Sequence, residues 1–160
     1  MKRSFTARHL WLTFALAFCA QAAWAWQPAA NFWTDVPESA FARKDMERRI
    51  VPDAYRTVAL DFEAMKAALA QAPDRLSPAA AQSPVVIMLP MPDGTFARFR
   101  VVEASVMHPE LQARYPGIRS YAAQGLSDPT AYARLGYSHK GFHAMVLSAR
   151  HGTVFIDPYA

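Results

Sequence analysis

From residue 84 onward the apolar residues recur with a period of two, in short pieces separated by turn residues. Residues 96–103 show it most clearly. Ala97, Phe99 and Val101 fall on one side and Arg98 and Arg100 on the other, the alternation of a half-buried antiparallel strand. Before it, 85–89 reads as a continuous apolar strand, and Pro90-Met91-Pro92-Asp93-Gly94 supplies a turn with the favoured Asp-Gly pair. After it, strands are predicted over 118–122, 131–138 and 142–148, the last two joined at His139-Lys140-Gly141. His151-Gly152 then turns the chain into Val154-Phe155-Ile156, which leaves an open sheet edge, a liability for solubility.

Two segments break the period. Asp61 is placed to cap a helix over 62–71, in which Phe62, Met65 and Leu69 share one face. Ala72-Pro73 ends it, because proline cannot continue the ladder. A second, short helix is expected over 109–115, with proline in its first turn and Pro116-Gly117 closing it. Residues 55–60 have strand character, and 74–82 reads as a loop. The fold class is therefore α+β: a strand-rich antiparallel sheet packed on one main helix.

The amino-terminus reads as a targeting signal. Lys2, Arg3 and Arg8 precede an uncharged stretch over 10–23, and Ala23-Trp24-Ala25 offers signal peptidase its small-x-small pattern, with cleavage after Ala25. Ala20-Gln21-Ala22 is a second acceptable site. An apolar run of about 14 residues is short of the ~20 that span a bilayer. A lipoprotein reading fails because Phe18 stands before Cys19. The chain is thus expected to be exported, periplasmic or extracellular, with no membrane attachment once residues 1–25 are removed. Residues 26–53 read as a poorly ordered leader that docks one or two aromatics, and 54–160 as the folded domain. Arg48-Arg49 could be a processing site, although a solvated basic pair is the commoner reading.

Removal of the signal changes the charge and the redox chemistry. Of the 17 basic residues three leave with the signal, so the net charge of +4 falls to about +1. That gives no electrostatic case for nucleic acid. Cys19, the one cysteine, leaves too, so the mature chain has neither disulfide nor thiol.

Groups that could do chemistry are sparse. His139 and His143 have the H-x3-H spacing that places two imidazoles together on a helix, and they are the candidate metal ligands. Gly141 between them and the strand that follows splay them around a turn, so a buried or edge histidine in a hairpin is the better reading. Ser105 and Ser120 lack the glycine-flanked elbow of serine hydrolases. Glu103 and Glu110 are an acid–base pair only if the fold brings them together. Tyr115, Tyr121, Tyr132 and Tyr137 suit either a core or a protein interface. No catalytic residue and no cofactor is expected.

The residues also carry a resemblance. Leu89-Pro90, Pro92-Asp93-Gly94, Phe99, Val101, Glu103-Ala104-Ser105, Met107, Pro109-Glu110-Leu111, Tyr115-Pro116, Ile118-Arg119-Ser120-Tyr121 and Gln124-Gly125 form one ordered series. Gly141-Phe142-His143-Ala144-Met145-Val146 and Val154-Phe155-Ile156-Asp157-Pro158-Tyr159 continue it, and Ile50, Pro52, Tyr55-Arg56 and Leu60-Asp61 precede it. Together they resemble the amino-terminal, propeptide-like domain of secreted bacterial reprolysin-like (adamalysin-type) zinc metallopeptidases. The resemblance implies a non-catalytic prodomain that assists folding of its protease or covers the cleft until processed. Its partner would be a cognate metallopeptidase domain carrying H-E-x-x-H-x-x-G-x-x-H. This sequence lacks that motif, so a fragment or a truncated gene product is expected. Latency through a cysteine switch is excluded, which leaves steric occlusion. The competing reading is a free-standing secreted protein-binding or adhesion module.

Overall fold

The structure is a computed structural model and describes residues 29–40 and 52–159. The expected signal peptide, its cleavage point at Ala25 and the Arg48-Arg49 pair lie outside the described residues. In chain order the elements are β1 (Trp33–Asp35), β2 (Val58–Leu60), α1 (Phe62–Leu69), β3 (Val86–Pro90), β4 (Phe96–Glu103), α2 (Pro109–Arg114), β5 (Arg119–Gly125), β6 (Tyr132–Ser138), β7 (Gly141–Ser148) and β8 (Gly152–Ile156). Strands β3 to β8 form one antiparallel sheet whose spatial order follows the sequence, and β1 and β2 form a separate antiparallel pair. This is the predicted strand-rich α+β fold with one main helix.

Local chemistry sets the helix. The Asp61 carboxylate accepts from the Ala64 N–H at 3.1 Å, satisfying one of the donors a helix start leaves open. The helix stops at Leu69 rather than at 71. Gln71 N–H bonds to Ala68 O and Ala72 N–H to Leu69 O, so the chain tightens into i→i+3 turns ahead of Pro73. Strand β5 differs the other way, running on to Gly125. Pairing with β4 extends it, since Val101 faces Ala123 and Phe99 faces Gly125.

The register puts two kinds of rows on the sheet. On one face Val101, Ala123, Ala133, Val146 and Val154 lie opposite one another across five strands. Tyr121, Leu135, Ala144 and Ile156 form the adjoining row. Met65 and Leu69 of α1, both fully buried, join this face in a single core. Phe62 adds an edge-on contact with Tyr137 at 5.9 Å. Small alanines in the middle of the sheet beside large Tyr121 and Phe99 fill the layer in the close-packed way of protein interiors.

The described part of the leader docks an aromatic, Trp33, as expected, and is more ordered than expected. Residues 29–40 are part of the fold and not a poorly ordered approach to it. Ala30 N–H bonds to Val86 O and Met88 N–H to Ala30 O, so the segment lies along the outer edge of β3. Trp33 is buried, its indole N–H donates to Met88 O at 2.9 Å, and its ring meets Phe142 edge-on at 5.5 Å. Arg56 fixes the β1–β2 pair to the β3–β4 hairpin. Its guanidinium grips Asp35 through two bonds of 2.6 and 2.7 Å, reaches Met91 O and Thr95 O, and lies over the Phe96 ring. Glu38 closes the other side, its carboxylate accepting from Tyr55 at 2.7 Å and from Tyr159, 121 positions along the chain.

Candidate functional site

The second face of the sheet lies opposite the one that α1 and Trp33 cover. Its rows follow from the same register: Arg100, Gln124, Tyr132, Leu147 and Thr153 in one, Val102, Ala122, Arg134, Met145 and Phe155 in the next. Tyr132 is 40% exposed, Leu147 44% and Phe155 68%. At one end of the face the 3-10 turn Ala80–Gln82 stands beside the strands. A depression of about 300 Å³ lies there, lined by Ala81, Arg100, Val102, Gln124, Leu126 and Tyr132. Arg100 Nη1 donates to Ala81 O at 3.3 Å, and its Nε is buried without a hydrogen-bond partner. Neither Arg100 nor Arg134 has a carboxylate partner among the described residues.

The candidate metal ligands are apart in role. His143 stands on β7 on this same face, exposed rather than buried, with Nδ1 2.8 Å from Asp157 Oδ1. His139 is an exposed residue of the β6–β7 turn. Among the described residues no three His, Cys, Asp or Glu side chains converge as a metal site needs.

The other singled-out groups have structural partners. Glu103 Oε1 pairs with Arg119 at 2.7 Å, and Glu110 sits in the first turn of α2. Ser105 Oγ donates to Gln112 Oε1 at 3.0 Å and accepts from the Met107 N–H. Tyr121 is buried next to Tyr137, and that burial pushes its phenol far above the ordinary range. Tyr115 is exposed at the end of α2, which leaves Tyr132 as the tyrosine of the four on the open sheet face.

A second cavity, of about 210 Å³, lies at the hairpin end of the sheet among Phe96, Phe99, Asp128, Ser148, Arg150 and His151. Sequence reasoning did not single out its polar residues, which lie in separate turns. The Asp128 carboxylate accepts from Thr130 Oγ1 at 2.6 Å, from the Thr130 N–H at 2.9 Å and from Ser148 Oγ at 2.7 Å. Those bonds, Thr130's first, hold its acid below the usual carboxylate range. Ser148 Oγ in turn accepts from the N–H groups of Arg150 and His151. Its proton is committed to Asp128, so the trio braces two turns and does not form an activated nucleophile. Asp93 works alike on the β3–β4 turn, held below its ordinary value by Thr95.

No helix among the described residues is long and apolar enough to cross a membrane. Comparison with protein-family models, with curated proteins and with solved structures gives no match.

Proposed function

We propose that the chain is a non-catalytic companion domain of a secreted zinc metallopeptidase, assisting its folding or covering its cleft until processing. The observation that carries this reading is the contrast between the two sheet faces. One is sealed by α1 and Trp33. The other presents Tyr132, Leu147 and Phe155 to solvent beside Arg100 and Arg134. Aromatic and arginine side chains with few carboxylates are the composition that protein interfaces favour. A prodomain needs such a rigid surface and no nucleophile of its own. The order of residues from Leu89 to Tyr159, which resembles the propeptide-like domain, supplies the class of partner.

The test adds the purified chain, in micromolar excess, to the catalytic domain of a reprolysin-like enzyme. Peptide hydrolysis is followed, and so is the active yield recovered after denaturation. Slower hydrolysis or a higher refolding yield is expected. If neither changes, the reading is overturned and the free-standing binding module takes its place.

A further inference from the structure

We infer that the open face of the six-stranded sheet docks an acidic, extended polypeptide segment of the partner protein. The inference rests on the companion-domain reading for who the partner is, and on the face itself for what it binds.

Charge is the first argument. In the two central rows of that face Arg100 and Arg134 are the ionised groups, and no acidic residue stands between them. The nearby Asp157 is engaged by His143 at the sheet edge. Two guanidinium groups without a carboxylate partner among the described residues favour a partner that brings carboxylates. Arg100 is poised to respond: one bond of 3.3 Å holds it, and its Nε lacks an acceptor. A carboxylate arriving at the depression would give that guanidinium the two-pronged pairing for which its shape is suited.

Spacing is the second argument. Arg100 on β4 and Arg134 on β6 are two strands and two residues apart, roughly 12 Å at the usual strand spacings. An extended chain advances ~3.3 Å per residue and alternates its sides, so acidic side chains four positions apart share one side and reach both. Between and beside them the face offers Tyr132, Leu147, Met145 and Phe155 for apolar contact. A phosphate backbone would instead engage a longer strip of cations, because its affinity scales with the number of phosphates neutralised.

The experiment uses the purified chain and a fluorescent peptide of about ten residues with glutamate at alternate positions and valine between, long enough to cross the face. Anisotropy is read against the parent, Arg100→Glu/Arg134→Glu, Arg100→Gln/Arg134→Gln, and Arg114→Glu on α2 as control. Circular dichroism melts check that each variant is folded. The expected result is binding that weakens with salt, about tenfold or more in the glutamate double variant and less in the glutamine one. Arg114→Glu should stay within about twofold, below the change that marks a lost contact. Undetectable binding to the parent overturns the inference, as does unchanged affinity in both folded double variants. Tighter, Arg134-dependent binding of a thymidine oligonucleotide overturns it in favour of nucleic acid. The two readings fail separately. Peptide binding without any effect on the metallopeptidase sinks the companion domain and keeps the surface. Equal inhibition by parent and folded double variant sinks the surface and keeps the companion domain.

Discussion

Gly125, at the end of β5, shows how a single hydrogen can hold a turn. A Cβ there would sit 2.3 Å from the Asp128 carbonyl and 2.8 Å from the Ala131 Cβ, both fixed atoms of the β5–β6 connection. Gly125→Ala is expected to cost ~1–3 kcal/mol, the range for overpacking, read by urea melts. Gly117→Ala meets open space and serves as the neutral control. The neighbouring Asp128 carries a pH dependence. Its folded acid titrates below the ordinary 3.8, so unfolding at low pH takes up a proton. The stability it contributes is present above about pH 4 and lost as pH falls through the folded value. Asp128→Asn should therefore lower the melting temperature at pH 7 and narrow the gap to the parent at pH 3. An undiminished gap at pH 3 would contradict the linkage. None of this was legible in the sequence, since Asp128, Thr130 and Ser148 are ordinary turn residues until β6 and β7 bring them together.

At the scale of elements, what could be read from the sequence was what neighbours in the chain decide. Arg98 and Arg100 alternate with Ala97, Phe99 and Val101, and β4 follows with its sides as expected. Asp61 sits one residue before the apolar helical stripe, and it caps α1. β1 was missed because three residues carry too little period, and its order comes from partners far along the chain. Trp33 bonds to Met88, 55 positions away, and packs on Phe142. Trp33→Ala is expected to cost ~3–5 kcal/mol, as for a large aromatic removed from a core. Hydrogen exchange should then speed at the Ala30 and Met88 amides while the β5–β6 amides keep their protection against local opening. Uniform loss of protection would show instead that the leader and the sheet unfold as one. The open face was hidden for a similar reason: Arg100, Tyr132 and Arg134 become neighbours only through two successive registers.

For the molecule as a whole, β8 is the sheet's last strand in spatial order, with Phe155 exposed upon it. An edge of this kind templates pairing with a second chain. The isolated protein is expected to self-associate as concentration rises, and Thr153→Lys on β8 should reduce that in sedimentation velocity. A monodisperse parent at high concentration would refute the expectation. The leader has a further consequence, for the order in which the protein can form. The six strands follow one another in space as in sequence, so each hairpin can close on the one before as it is made. Trp33 and Glu38 cannot do likewise, because their partners Phe142 and Tyr159 are made only after the strands that lie between. Until then the indole lacks its Phe142 contact and the Glu38 carboxylate its Tyr159 donor. A segment made ahead of the whole sheet thus completes its contacts only after the sheet is built, and a chain arrested before Phe142 would carry a tryptophan without its ring partner.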